Sequence, residues 1–187
     1  MSDINEILEF FQALDYENGL EVVVKTFERF PLQYAATLGL DGNAKVRPIE
    51  FKYEEDGLLY FDTVTFYTSY KELLAHPYIQ ICVCDQPTMT YVRVSGKVNF
   101  TDDPEVIEKC FENSPVLTSQ FGNMREVVIG YYLSDVQAEF ESFSPQLPTI
   151  DIRFPAVMTE ETRLQKSAYF HLLSTPVMIS MHKGRQL

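Results

Sequence analysis

Positive charge is scarce in this sequence. Its 187 residues include 15 Lys and Arg against 27 Asp and Glu, which gives a net charge of −12 at pH 7. Proteins that bind DNA, RNA or anionic membranes without sequence preference need a basic surface. The charge balance therefore argues against nucleic acid and against a membrane as partners, and by itself it indicates no substrate.

Cysteine pairs and long hydrophobic runs are missing as well. The three cysteines, Cys82, Cys84 and Cys110, are an odd and sparse set that fits a reducing compartment better than a disulfide framework. No apolar run approaches the roughly 18 residues that cross a bilayer. The acidic N-terminus lacks the basic segment of a signal peptide. We therefore expect a soluble cytoplasmic protein.

Several motifs of covalent, phosphate and metal chemistry are absent. The sequence has no G-x-S-x-G elbow, no G-x-x-x-x-G-K-[ST] loop and no G-x-G-x-x-G turn. Cys82 and Cys84 share a strand face without the second Cys or His pair that a zinc site needs, so we interpret them as buried free cysteines. His76, before a proline, is typical of a helix C-terminal cap. No metal site is predicted, and no catalytic residue can be assigned.

Hydrophobic periodicity divides the chain into a helical start and a β-rich body. Residues 4–30 repeat apolar side chains at helical spacing, with a break at Asn18-Gly19 and an end at Pro31. From Leu32 the spacing is that of strands. The predicted strands span residues 32–40, 44–53, 58–63, 79–84, 90–100, 127–133 and 138–143, and further helices span 67–75 and 104–113.

Short turns between most of these strands favour an antiparallel sheet over a doubly wound parallel one. We predict a mainly β (α+β) fold, an antiparallel barrel with peripheral helices, in one domain over residues 1–150. Gly96, inside a long strand, predicts a bulge or bend. Residues 151–187 are a C-terminal extension of unknown structure, for which a docking helix, an arm over a partner subunit and a poorly ordered tail all remain open.

Cations on strands need an explanation in so acidic a chain. Those in the predicted strands, or in the helix between them, are Lys45, Arg47, Lys52, Lys71, Arg93 and Lys97. Alternation places Arg47, Ile49 and Phe51 on one face of a strand. The Arg47 guanidinium on that face suits bidentate contact with a phosphate. The alternative interpretation is ordinary cross-strand ion pairing, with Glu50, Glu54 or Asp62 as partners.

Hydroxyl residues surround the start of the helix that follows residue 63. The free amides at a helix N-terminus attract anions, and Thr or Ser there also serves as a simple N-cap. The two interpretations are compatible. The hydroxyl residues are Thr63, Thr65, Thr68 and Ser69.

Taken in order, these segments resemble the pyridoxamine 5′-phosphate oxidase-like family, the FMN-binding split barrels. The matching stretches are residues 34–38, 41–48, 59–63, 71–77, 92–98 and 103–104, and the resemblance covers about residues 20–143. It implies a six-stranded antiparallel split β-barrel, which assembles as a homodimer and binds FMN in a groove between its subunits. Residues 1–150 would then be the FMN-binding domain together with the N-terminal helices.

The resemblance also implies which residues meet the cofactor. Arg47 and Lys71 would contact the phosphate, and Thr63 would hydrogen-bond to the ring or the ribityl chain. The full implied set is Arg47, Pro48, Ile49, Lys52, Asp62, Thr63, Val64, Thr68, Ser69, Lys71 and Tyr91.

One departure from the family pattern affects the function. Residues 64–69 lack the cations that many relatives carry in the phosphate loop, and the substrate-binding pattern of true pyridoxamine phosphate oxidases is missing. The resemblance therefore implies an FMN-dependent oxidoreductase that acts on an unidentified small molecule other than vitamin B6. The alternative is a non-catalytic module of the same fold that holds flavin or haem, or has lost its ligand. The deazaflavin F420 is a third option.

Overall fold

The computed structural model describes residues 4–153 and 180–181. Two helices, α1 (Ile4–Gln12) and α2 (Gly19–Arg29), precede the sheet. The predicted break between them is confirmed, because the Asn18 side chain caps α2 by accepting a hydrogen bond from the amide of Glu21.

Six longer strands and three short ones follow. They are β1 (Gln33–Leu38), β2 (Ala44–Ile49), β3 (Tyr53–Glu55), β4 (Leu58–Val64), β5 (Tyr78–Asp85), β6 (Thr90–Thr101), β7 (Val128–Ser142), β8 (Ile150–Arg153) and β9 (Ser180–Met181). The other helices are α3 (Thr68–Ala75), α4 (Pro104–Glu112) and α5 (Pro115–Phe121). Helices α3 and α4 were predicted from the sequence, whereas α5 was not.

The sheet is antiparallel throughout its described pairings. Its strand order is β2-β1-β5-β6-β7-β4-β3, with β8 added to β7 and β9 to β8. The predicted mainly β, α+β fold with outer helices is confirmed, and the six longer strands supply the split barrel. Among the described residues β2 and β3 are edge strands that do not pair with each other, so the sheet is not closed.

One long strand replaces the two predicted over residues 127–133 and 138–143. β7 stays paired with β6 from Gly130 to Ser142, and the register shifts between Ser95 and Lys97. The predicted bulge at Gly96 is thus confirmed. Asp135, opposite it, has a φ of 52°. The bend that interrupts the apolar alternation is absorbed by this bulge, so the strand continues through it.

The main core lies between one face of the sheet and helices α1 and α2. Gln33 ties this core to the segment after β2 although its side chain is polar and buried. Its Nε2 donates to the carbonyls of Phe27 and Phe30, and its Oε1 accepts from the amide of Phe51 at 2.8 Å. Both polar atoms of the Gln33 side chain are therefore used in holding β2 and its continuation against α2.

Helix α3 buries a charged side chain. His76 is its C-cap, as predicted. Leu74 is 57% exposed, and Glu72 is buried instead. The burial of Glu72 has an electrostatic reason, since this carboxylate finds cationic and hydroxyl partners in the interior, as described below.

The prediction that Cys82 and Cys84 are buried needs revision. Cys84 is exposed and Cys82 half-buried, while Cys110 is buried. The first two sulfurs lie on the outer side of the sheet. The domain boundary placed after residue 150 falls inside β8, which pairs with β7. The remainder of the predicted extension, apart from β9, lies outside the described residues.

None of the described helices is long and apolar enough to cross a membrane. Within the same residues, no cluster of His, Cys, Asp and Glu is arranged to hold a metal ion.

Candidate functional site

A small cavity lies where β1, β2 and β4 meet helix α3. Its lining residues are Ala35, Thr37, Arg47, Ile49, Asp62, Thr63, Ser69, Leu73, Ile79 and Tyr131. Its volume of about 30 Å³ is room for a water molecule. A planar ring therefore has to lie against the mouth of this cavity, with smaller groups reaching inward.

Five of the predicted cofactor residues converge here. Arg47 and Ile49 point inward from β2 because side chains alternate along a strand. Asp62 and Thr63 come from the end of β4, and Ser69 from the first turn of α3. Residues separated along the chain are thus brought to one place by the antiparallel sheet.

Two hydroxyl groups of the cavity are free to bind a ligand. Thr63 and Ser69 are half-buried, and neither side chain hydrogen-bonds to any other residue in the part of the chain that the structure describes. Half-buried hydroxyls normally find a partner in protein or water. They are donors and acceptors positioned for a polar group at the cavity mouth.

The Arg47 guanidinium is already engaged by protein groups. Its Nη1 donates to Thr37 Oγ1 at 2.7 Å, and its Nη2 donates to Glu72 Oε2 at 2.7 Å. Thr37 Oγ1 in turn donates to Glu72 Oε2 at 2.9 Å. The Glu72 side chain is only 2% exposed, against 26% for Arg47. One network therefore joins α3, β1 and β2, and it compensates the Arg47 charge.

Lys52 belongs to a second charged cluster beside the cavity. It follows β2 and is 4% exposed, and its Nζ lies 2.6 Å from Glu50 Oε2 and 3.0 Å from Asp62 Oδ1. Ser114 Oγ donates to the same Glu50 oxygen at 2.5 Å. Burial raises the pKa of Asp62, and the neighbouring Lys52 opposes that rise. Lys52 therefore forms the ion pairs that the alternative interpretation of the strand cations predicted.

The structure places three predicted residues away from the cavity. Pro48 is exposed on the other face of β2. Val64 is buried in the smaller core cluster beneath α4 and α5. Tyr91 lies on the outer side of β6 and hydrogen-bonds to Glu141, which raises the pKa of its phenol to about 12. Their roles in cofactor binding remain predictions.

The last two predicted residues lie on the surface of α3. Thr68 and Lys71 are both exposed, and within the described residues Lys71 forms no ion pair. The N-cap residue Tyr67 makes no side-chain hydrogen bond to the helix. Lys71 is thus the cation near the cavity that no described carboxylate compensates.

Several residues that shape this site were not predicted from the sequence. Thr37 and Glu72 hold Arg47, and Ser114 completes the Lys52 cluster, in which Glu50 had been named as a possible ion-pair partner. The sequence did contain one signal for Glu72. It directly precedes Leu73, a core position, so helical periodicity brings it close to the buried face of α3.

The cavity suits one part of a flavin better than another. Ile49 and Leu73 present apolar surface to a ring, and Thr63 and Ser69 present hydroxyls to ring or ribityl oxygens. The lining residues include one cation, Arg47, and its charge is compensated. The donor set therefore fits the ring and the polyol chain, and it does not fit the double charge of a phosphate.

The outer face is the side of the sheet opposite this cavity, made by alternate residues of β2, β1, β5, β6 and β7. Its β2, β1 and β5 part is apolar and exposed, with Tyr34, Leu38, Val46 and Tyr78. A broad groove of about 590 Å³ runs along it, beside a polar groove of about 320 Å³ near Arg93. Neither groove contains a predicted cofactor residue, so volume alone does not locate the site.

Comparison with known proteins identifies relatives of this fold. Residues 20–126, more than half of the chain, match the family profile described as pyridoxamine 5′-phosphate oxidase. No curated protein sequence is significantly similar to the chain.

Solved structures share the architecture at low sequence identity. A nimC/nimA family protein from Clostridium acetobutylicum is 20% identical with a TM-score of 0.61, over 76% of this chain and 94% of that one. A pyridoxamine 5′-phosphate oxidase-related, FMN binding protein from Nostoc punctiforme is 17% identical with a TM-score of 0.59, over 77% and 93%. A protein related to general stress protein 26, also from C. acetobutylicum, is 12% identical with a TM-score of 0.60, over 75% and 97%.

Proposed function

The chain belongs to the pyridoxamine 5′-phosphate oxidase family, and on that premise we propose that it binds a flavin and acts as an oxidoreductase on a small molecule. FMN is the flavin that the family resemblance implies. The observation that carries the proposal is a pair of hydroxyls, Thr63 and Ser69, that have no hydrogen-bond partner among the described residues and lie beside the inward-facing Ile49 and Arg47. A bound flavin supplies the two-electron chemistry, and the protein supplies binding and orientation.

Each cavity residue has a definite task in this proposal. Ile49 and Leu73 exclude water from one side of the ring. Thr63 and Ser69 hydrogen-bond to its polar edge or to the ribityl hydroxyls. The Arg47–Glu72 pair keeps β2 against α3, so that the hydroxyls stay in register with the apolar surface.

Flavin titration of Thr63→Val and Ser69→Ala tests this site. Adding FMN or riboflavin to the wild-type protein should quench flavin fluorescence and shift the visible flavin bands. Each variant should bind more weakly by about tenfold, since each loses about one hydrogen bond. Ser119→Ala, on the exposed side of α5, is the matched control and should bind as the wild type does. A wild-type spectrum that neither flavin changes would refute the proposal.

A non-catalytic flavin-binding module is the second candidate. The observation that favours it is that both charged residues lining the cavity, Arg47 and Asp62, are held in ion pairs with described residues. Neither is therefore free to act as an acid or base without breaking a contact. Anaerobic addition of NADH or NADPH separates the candidates, because bleaching of the bound flavin supports the enzyme and persistent colour supports the module.

Haem and F420 have less support from the cavity. Haem iron needs an axial ligand such as His or Cys, and His76 is an exposed residue at the end of α3 that does not line the cavity. The anionic tail of F420 needs cations beyond Lys71. Absorbance spectra after addition of each compound test both predictions.

A homodimer is a second part of the proposal, with an interface on the side of the sheet opposite the flavin cavity, whereas the family resemblance implied a flavin groove between the subunits. The exposed apolar residues Tyr34, Leu38, Val46 and Tyr78 make a contiguous patch on the outer face, and such patches mark protein interfaces. A second copy of the chain would cover this patch.

A further inference from the structure

We propose that Glu72 is a charge-compensating residue that makes this flavin site nearly indifferent to the 5′-phosphate, so that riboflavin and FMN bind with similar affinity. The inference rests on the proposed flavin site and names the form of ligand that the site takes. Glu72 acts through Arg47 and has a positioning role.

The first step is that the Arg47 guanidinium is already hydrogen-bonded to protein groups. Its two terminal nitrogens donate to Thr37 and Glu72, both at 2.7 Å. A phosphate that recruits Arg47 has to compete with a carboxylate already placed within hydrogen-bond distance. Bidentate contact, which makes arginine a strong phosphate ligand, would have to use the remaining N–H groups of a guanidinium whose positive charge the Glu72 carboxylate already balances.

The second step is the burial of Glu72. Its side chain is 2% exposed, and its Oε2 accepts from both Arg47 and Thr37. Drawing Arg47 toward a ligand leaves this carboxylate in the interior with only a hydroxyl donor. An unpaired buried charge is strongly unfavourable, because water cannot replace the lost partner. Glu72 therefore retains Arg47 against an incoming dianion.

The third step is the charge balance around the cavity. Lys52 is held between Glu50 and Asp62, so it also has no uncompensated charge to offer. Lys71 remains, but it is exposed on α3, where water and salt screen its attraction. The described residues thus provide little extra attraction for the phosphate of FMN compared with the terminal hydroxyl of riboflavin.

The test compares two ligands on four proteins. Riboflavin and FMN are titrated into the full-length wild type, Glu72→Gln, the double variant Arg47→Gln/Glu72→Gln and Glu139→Gln, with flavin fluorescence as the readout. Glutamine has the shape of glutamate and still accepts from Arg47 and Thr37, so it removes charge and preserves packing. Glu139, paired with Arg93 on the outer face, gives a control with the same change in net charge.

The quantity that decides is the ratio of the riboflavin and FMN dissociation constants. In the wild type we expect FMN to bind less than about tenfold more tightly. Glu72→Gln should raise this preference by about 10-fold to 100-fold, because Arg47 then offers an uncompensated charge-assisted contact. The double variant should return to the wild-type ratio, and Glu139→Gln should not depart from it. A merely structural role of Glu72 would weaken both ligands together and leave the ratio unchanged.

Two results overturn the inference, and both differ from failure of the flavin site. One is a wild-type preference for FMN above about tenfold, as expected if cations outside the described residues reach the phosphate. The other is an unchanged ratio in Glu72→Gln. If that variant does not fold, the wild-type ratio of the two dissociation constants still decides. The salt dependence of the two affinities decides as well, and it should be the same for riboflavin and for FMN. If neither flavin binds, the proposed function itself is wrong.

Discussion

Asp62 has to satisfy two requirements at once. Its carboxylate is a partner of the buried Lys52, and the residue also lines the cavity. Burial disfavours its ionised form and outweighs the attraction of Lys52, so the pKa of Asp62 in the folded protein lies above the ordinary aspartate value. The stability of the protein must therefore depend on pH through this group.

Asp62→Asn should reveal that dependence. A carboxyl whose folded pKa is raised contributes stability that is fully present below the unfolded pKa, about 4. This contribution is lost as the pH rises through the folded pKa. The melting temperature of Asp62→Asn relative to that of the wild type should therefore increase from about pH 4 toward neutrality. Calorimetry across this range measures the difference.

Asp41→Asn is the matching control because its shift has the opposite sign. The hydrogen bond from Lys45 lowers the pKa of Asp41, which is exposed. Its small contribution is present above the unfolded pKa and is lost as the pH falls. A difference between Asp62→Asn and the wild type that does not change with pH would contradict the raised pKa.

Single-residue predictions succeeded where strand alternation decides orientation. Arg47 and Ile49 were expected on one face of a strand, and both point into the cavity. The same alternation turns Pro48 outward, although family resemblance had grouped the three. The partners of Arg47 could not be predicted, because Glu72 lies 25 residues away in sequence and Thr37 lies 10 away.

Helix α5 links the smaller core to the site through its N-cap residue, Ser114. Ser114 is fully buried as the N-cap, where its Oγ accepts from the Leu117 amide at 3.0 Å. The same hydroxyl donates to Glu50, which faces Lys52. A single side chain thus caps a helix and satisfies one oxygen of the charged cluster.

Ser114→Ala should therefore cost more than loss of an ordinary cap. We expect the free energy of unfolding to fall by about 2 kcal/mol, the upper end for an N-cap, since a hydrogen bond to a charged group is lost as well. Asp103→Ala removes the exposed N-cap of α4 and should cost about 1 kcal/mol or less. Urea unfolding measures both. Equal losses would mean that the Glu50 contact adds nothing.

The boundaries of helices and strands were predicted least well where the apolar pattern of the sequence is interrupted although the strand pairing continues. Sequence alternation is interrupted near Asp135, and two strands were predicted there, yet β7 continues through the interruption. Helix α5 has only 7 residues, which is too short for a helical repeat of apolar residues to distinguish it from a loop. In both cases the deciding interaction is with a distant strand or helix.

The outer face determines how the whole molecule associates in the proposed dimer. Val46, 68% exposed in the centre of β2, should lie in the buried part of the interface. Val46→Glu should therefore yield a monomer by light scattering at micromolar concentration, while the wild type should scatter as a dimer. Burying an unpaired carboxylate is unfavourable, whereas the isolated subunit should keep its stability.

Lys25→Glu is the control for this substitution. It places a new carboxylate on an exposed position of α2, away from the outer face, and should leave the dimer intact. A wild-type protein that scatters as a monomer, or a Val46→Glu protein that remains a dimer, would contradict the proposed interface.

The sequence by itself determined the antiparallel β-rich fold, the outer helices, the bulge at Gly96 and the inward position of Arg47. These follow from local periodicity, turn residues and strand alternation, which act over a few neighbouring positions. Only the tertiary structure decided that the Arg47 charge is already compensated. Ion pairing and burial depend on distances in space, and the antiparallel sheet brings Glu72 of α3 against β2. That contact, which no local pattern specifies, determines what charge the site offers a ligand.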